Sequence, residues 1–381
     1  MSLSELQKQI LSKKFPPLPS KPLGGIAPGV KSKGGRGNTR RDYTPLSWDC
    51  FFDKKEQIRV DDANIFNVYF KGDSGPVLFL LHGGGYSGLT WSCFAKRIIS
   101  TIECRVVAPD LRGHGDTITS DDYDLSAERQ SQDIAAIASA LFGQDPPPVF
   151  LIGHSMGGAL AVHAASRNVF PSLIGLTVID VVEGSAMEAL QSMQNVLRSR
   201  PNKFQSQEQA IEWCVRSGQV RNLESARVSM PAQIRKTLAN DPADFSSMMA
   251  EEAEHGVEEG ESKESPEASS EQSTTKECFV WRIDLSRSEP YWDGWFRGLS
   301  SMFLSIAVPK LLLLAGVDRL DKDLTVGQMR GQFQMMVLPK VGHAVHEDSP
   351  ERVADDVATF MIRNKFSVAK SDDIEQVFPC C

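Results

Sequence analysis

A chain of 381 residues, 41% hydrophobic and 24% charged, can bury one large core or two ordinary ones, and its formal charge of −8 argues against a body that binds nucleic acid. No apolar run approaches the roughly 18 residues of a membrane span, and the opening MSLSELQKQILSKKF mixes lysines with apolar residues where a secretory signal would be uninterrupted, so a cytosolic protein without stable membrane association is expected. Seven scattered cysteines (Cys50, Cys93, Cys104, Cys214, Cys278, Cys380 and Cys381) contain no C-x-x-C pair, which argues against a disulfide framework and a structural zinc site and leaves the terminal pair as a tail of lipidation type or an inert one.

Residues 1–41 carry nine Lys/Arg and one Glu, and FPPLPSKPLGGIAPGVKSKGGRGNTRR within them offers little to build a core; 1–42 reads as a mobile basic arm with a possible nuclear-localisation stretch. From residue 43 strands alternate with helical segments. QIRV and IFNVYF predict an antiparallel pair, PVLFLLHGGG a buried strand running into glycines, WSCFAKRIISTI a helix, RVVAPD a strand and SAERQSQDIAAIASALF a helix. PVFLIG, a helix over 157–167, LIGLTVID, KLLLLAGVD and FQMMVLP complete the pattern. Near-continuous apolar strands separated by amphipathic helices predict a doubly wound α/β fold with a mostly parallel sheet covered on both faces. Strand periodicity lapses between Gly184 and about Ser300. The helical spacing there, including Val228 to Leu238, predicts an inserted helical cap at 184–300 dividing the core into 43–183 and 301–366, ahead of a tail at 367–381. Inside the insertion, residues 251–277 carry ten Glu and two Lys with no aromatic residue and read as a disordered acidic loop. The tryptophans at 281, 292 and 295 read as packing against the cap or as a partner surface.

Gly153-His154-Ser155-Met156-Gly157 fits G-x-S-x-G between a predicted strand and a predicted helix, the context in which a serine sits on a strained turn as a nucleophile. The alternative is a hydroxyl in a glycine-rich turn. His82-Gly83-Gly84-Gly85 ends another strand and would supply the second oxyanion donor; the backbone N–H groups of Met156 and Gly84 are the expected pair, with Gly85 as alternative. A phosphate cradle is disfavoured, since neither Lys-Ser/Thr nor G-x-G-x-x-G follows. His343 comes after the last strand and before a terminal helix, where a general base is delivered, and His346 competes with it. For the acid, Asp180, Asp318 and Asp321 all end predicted strands, and pattern alone leaves them open. Asp110 and Arg112-Gly113-His114-Gly115 read as a bracing loop, Tyr86 and Trp91 as packing or pocket lining, and the environment of Glu183 is not legible. Serine, histidine and acid complete acyl transfer with no metal or cofactor.

HGGGYSGLTW, DLRGHGDT, GHSMGGALAV, VIDVVEGSAMEAL, YWDGWFRGLS and VGHAVHEDSPERVADDVATF, in this order and spacing, resemble the protein phosphatase methylesterase family of α/β-hydrolases over about residues 43–366. The resemblance implies a serine esterase that demethylates the C-terminal leucine methyl ester of the protein phosphatase 2A catalytic subunit and binds that subunit and its holoenzymes at the active site, in cytoplasm and nucleus. It also implies Asp180 as the acid, because the family's acid lies in the V-I-D-V-V-E-G segment. The Pro/Gly-rich arm, the wording of the acidic loop and the CC terminus depart from the family's pattern.

Overall fold

The computed structural model describes residues 41–238, 277–316 and 320–370. The basic arm apart from its last two residues, the acidic loop apart from Glu277, the candidate acid Asp318 and the Cys380-Cys381 terminus lie outside the described residues.

The strands are β1 (Lys54–Arg59), β2 (Ile65–Lys71), β3 (Val77–Leu81), β4 (Arg105–Pro109), β5 (Val149–His154), β6 (Leu173–Ile179), β7 (Lys203–Phe204), β8 (Ile234–Leu238), β9 (Glu277–Trp281), β10 (Lys310–Leu314) and β11 (Gln334–Val337). The helices are α1 (Ser92–Thr101), α2 (Ala127–Phe142), α3 (Met156–Ser166), α4 (Glu183–Arg198), α5 (Gln207–Ser217), α6 (Leu223–Ser229), α7 (Glu289–Phe296), α8 (Leu299–Ser305), α9 (Lys322–Met329), α10 (Val345–Asp348) and α11 (Pro350–Arg363). An eight-stranded sheet runs in the order β1-β2-β4-β3-β5-β6-β10-β11. β2 pairs antiparallel with β1 and β4, and every other neighbour is parallel.

The central strands read as unbroken apolar runs because both faces are covered. In β3, Val77, Phe79 and Leu81 pack with Ile134 of α2 and Leu160 of α3, while Leu78 and Leu80 pack on the opposite face with Phe94 of α1 and Val357 of α11. β5 and β10 repeat this period of two, with Leu151 and Leu312 on the first face and Phe150 and Leu311 on the second. Local signals agree with the packing: Ser126 and Ser206 accept backbone N–H bonds at the starts of α2 and α5, and Pro350 opens α11.

The segment between β6 and β10 differs from the helical expectation. Beside its helices it carries a three-stranded antiparallel sheet, β7-β9-β8. The stretch from Val228 to Leu238 is helical only at its start; a 3-10 turn at Met230–Gln233 leads into β8. Pro231 has no N–H to continue the helix, and pairing with β9, far along the chain, outweighs local helical spacing. Trp281 of β9 packs on Phe204 and Trp213, while Trp292 and Trp295 of α7 are each 4% exposed. Those last two belong to the core, with their indole N–H groups donating to Ser288 Oγ and the Leu125 carbonyl, and present no partner surface.

The sheet and α3 approach too closely for a side chain between them. A Cβ on Gly157 would lie 2.3 Å from the Leu81 carbonyl oxygen, and one on Gly153 would lie 2.1 Å from the Gly157 carbonyl oxygen. Gly157→Ala is therefore expected to destabilise the fold by about 2–3 kcal/mol. Gly294→Ala on the exposed face of α7, where a Cβ meets nothing within 4 Å, should stabilise it by about 0.5–1 kcal/mol. Urea-denaturation midpoints of the two variants check both signs.

Candidate active site

Ser155 sits between β5 and α3 at φ 52°, ψ −121°, a left-handed backbone that costs a non-glycine residue on the order of 1–3 kcal/mol. Its own backbone bonds hold it there. Ser155 N–H donates to the Ile179 carbonyl at 3.0 Å, and its carbonyl accepts from Gly158 and Ala159 N–H at 2.9 and 3.1 Å. The turn lifts the hydroxyl out of the sheet and aims the first N–H groups of α3 at the space around it.

His343 Nε2 lies 3.0 Å from Ser155 Oγ, and His343 Nδ1 lies 2.8 Å from Asp180 Oδ2. The ring is half-exposed and the carboxylate fully buried. Asp180 follows β6 at φ 54°, and its other carboxylate oxygen accepts from Ala315 N–H at 3.0 Å, just past β10. The loop presenting His343 is tied at both ends. Gly342 N–H donates to Asp348 at 2.6 Å, and the His343 carbonyl accepts from His154 Nε2–H at 2.8 Å and Val345 N–H at 2.9 Å. His154, the residue before the serine, thereby fixes the distance between the two loops.

The glycine loop after β3 closes the opposite side. A Cβ on Gly83 would lie 3.3 Å from Ser155 Cβ, and one on Gly84 would lie 3.8 Å from Met156 Sδ. Gly85 N–H donates to His114 Nε2 at 2.8 Å, so it is engaged. Among the described residues the Gly84 and Met156 N–H groups donate to nothing and remain available to an oxyanion. The loop at Asp110–Gly115 braces this arrangement: Asp110 accepts from Gly88 N–H and Asn67, Arg112 forms a buried two-pronged pair with Asp133 at 2.7 Å, and the Arg112 carbonyl accepts from His114 Nδ1.

The competing candidates lie elsewhere. His346 is buried, its Nε2 2.9 Å from Thr90 Oγ1, behind the ring of His154. Asp321 accepts from Leu324 N–H and the Ser300 hydroxyl, capping α9. Glu183 accepts from Gly298 and Ser300 N–H at the start of α8. Trp91 is fully buried, and Tyr86 stands edge-on to His154 within the core of the insertion. Two roof residues carried no legible signal. Leu285 lies over Gly84 and Gly85, and Arg200, at the end of α4, places Nη1 3.6 Å from where a Gly85 Cβ would be. Both come from the insertion, where neither periodicity nor spacing links them to a loop more than a hundred residues earlier.

Residues 78–356 match the model of the α/β hydrolase family, and the chain belongs to that family. A solved E-2-(acetamidomethylene)succinate hydrolase shares the fold at 17% identity and a TM-score of 0.58, covering 81% of this chain and 99% of that one. The chain is 51% identical to protein phosphatase methylesterase 1 of Mus musculus over 374 residues, 96% of each chain. It is also 50% identical to the probable protein phosphatase methylesterase 1 of Caenorhabditis elegans, covering 91% of this chain and 85% of that one. Within the α/β hydrolases it is thus a member of the protein phosphatase methylesterases, enzymes that hydrolyse carboxylic esters.

The site rests on buried neutral imidazoles. Burial holds His82 and His346 well below the ordinary 6.5, His114 at about 4 and His154 at about 3. As pH falls through 6.5 the unfolded chain takes up protons that these four rings refuse, so stability falls. Buried carboxyls oppose the trend, Asp348 and Asp356 among them. Burial raises Asp110 to about 6 and Glu347, which accepts from Ser229 and Thr90, to about 8, so the fold holds protons there that the unfolded chain loses. The imidazoles, which with His163 number five, charge in the unfolded chain across this whole range and outweigh the carboxyls, and the thermal midpoint should be lower at pH 5 than at pH 7 by roughly 5 °C or more. A scanning-calorimetry series across this range checks the sign.

Proposed function

We propose that this chain demethylates the C-terminal leucine methyl ester of the protein phosphatase 2A catalytic subunit through an acyl-enzyme on Ser155, with His343 as general base and Asp180 as the acid. The observation that carries the substrate is the 51% identity to a protein phosphatase methylesterase across 96% of both chains. The chemistry is supported by the continuous hydrogen-bonded run from Ser155 Oγ through His343 to Asp180.

In this reading His343 Nε2 takes the hydroxyl proton as Oγ attacks the ester carbonyl. Asp180, held by Ala315 N–H, keeps the proton on Nδ1 and stabilises the imidazolium. The N–H groups of Gly84 and Met156 receive the oxyanion. His343 then protonates the departing methoxide, and water activated by the same ring releases the leucine carboxylate. Residues 184–300 form the cap under which the phosphatase tail enters, and the same cleft binds the catalytic subunit and its holoenzymes beyond turnover, in cytoplasm and nucleus. Among the described residues no helix is long and apolar enough to cross a membrane.

Purified wild type and Ser155→Ala are compared for methanol release from methylated phosphatase catalytic subunit. Ser155→Ala should lose about 10³-fold or more in turnover, and Asp180→Asn a comparable factor, while both stay folded. Near-normal demethylation by Ser155→Ala contradicts the proposed nucleophile, and wild type that cleaves simple aryl esters but not the methylated subunit contradicts the proposed substrate.

A further inference from the structure

Arg200 is a part-buried cation with no counter-ion among the described residues. Among the described residues its guanidinium meets no carboxylate, and its one ring contact is with Trp281, Cζ lying 5.1 Å from the ring centroid. The arginine is held in place: Trp281 Nε1–H donates to the neighbouring Pro201 carbonyl at 2.8 Å, Arg200 N–H donates to the Leu197 carbonyl at 3.1 Å, and Trp281 packs on Phe204 and Trp213. Burial pushes its pKa down, yet a guanidinium stays charged in proteins. A charge partly shielded from water gains from an anionic partner, and a ligand bound at this place would supply one.

The place is the glycine loop. A Cβ on Gly83 would lie 3.3 Å from Ser155 Cβ, Gly84 carries the free N–H, and a Cβ on Gly85 would lie 3.6 Å from Arg200 Nη1. Gly83 and Gly85 are at most about 7 Å apart along the chain, so the guanidinium stands beside the loop that carries the Gly84 N–H. Leu285 lies over the same loop and adds an apolar side chain there.

The substrate ester is neutral, whereas hydrolysis leaves a carboxylate at the same atoms. The free N–H groups, the N-terminus of α3 and the guanidinium all favour the anion. We propose that Arg200 makes this site a receptor for a free C-terminal carboxylate, so that the demethylated protein is held more tightly than a neutral terminus of the same sequence. The proposal rests on the methylesterase reading and deepens it: the enzyme is product-inhibited by design of its roof and persists on the chain it has demethylated.

The test uses the full-length enzyme hydrolysing a neutral aryl ester, inhibited by two leucine-terminated hexapeptides of one sequence, one with a free carboxylate and one with a C-terminal amide. Wild type should bind the carboxylate peptide at least about tenfold more tightly than the amide, with the ratio shrinking at high salt. Arg200→Gln should bring the ratio close to one, and Arg200→Lys, which keeps the charge without the planar stack, should retain part of it; cooperative thermal melts establish that both variants fold. Equal wild-type affinities, or a ratio that survives Arg200→Gln, overturn the proposal. Turnover of the matching peptide methyl ester is followed in parallel. If that ester is not cleaved the substrate reading fails, while the carboxylate-to-amide ratio still reports on Arg200.

Discussion

The backbone of Ser155 is the constraint on which the site depends. A serine at φ 52° is unfavourable in isolation, and it persists because β5, β6 and α3 over-determine it. Ser155 N–H extends the ladder to Ile179, its carbonyl starts the helix, and the absence of Cβ atoms at Gly153 and Gly157 lets helix and sheet close on it. The same closure places Ile179, and so Asp180, beside the turn, and it directs the Met156 N–H toward the space that Gly84 faces from the other side. Relaxing this one residue to ordinary helical or extended angles would move the Ser155 hydroxyl, the Met156 N–H and the Asp180 carboxylate together.

Around that turn lies a frame of neutral histidines. His154 bonds the His343 carbonyl, His114 holds Gly85, and His82 Nε2 accepts from Leu111 N–H. Each ring acts as a fixed hydrogen-bonding spacer whose burial keeps it uncharged at neutral pH, leaving His343 as the half-exposed ring of the group. The reactive parts stand on the carboxyl ends of the parallel strands, where open α/β sheets collect their sites. The roof comes from the insertion, whose core takes in Tyr86 and Ala344 from the loops flanking the serine. The candidate catalytic groups thus stand on the sheet, and the roof over them comes from a segment whose core shares side chains with their loops.

Much of this was legible in the sequence because the signals were local. The main-sheet strands followed from apolar runs with flanking glycines, and G-x-S-x-G between strand and helix pointed to Ser155. His343 was readable from its place before α11. The acid was not readable from pattern: Asp180 and Asp321 both end apolar strands, and only their partners, His343 for one and a helix start for the other, separate them. Resemblance, rather than spacing, singled out Asp180. The sheet β7-β9-β8 escaped notice because its pairing spans the acidic loop, and the helical spacing of Val228–Leu238 hid Pro231 as a stop. Arg200 was invisible for a related reason, since its place beside the Gly85 loop is one that no periodicity encodes.

The central claim is that the strained serine is the group that attacks the ester. Labelling the native enzyme with a fluorophosphonate, followed by peptide mass spectrometry, reads this directly. The account predicts one stoichiometric adduct on Ser155, formed much more slowly in His343→Asn and absent in Ser155→Ala. An adduct on another residue, or a Ser155 that stays unlabelled in a folded enzyme still active on the methyl ester, would contradict it.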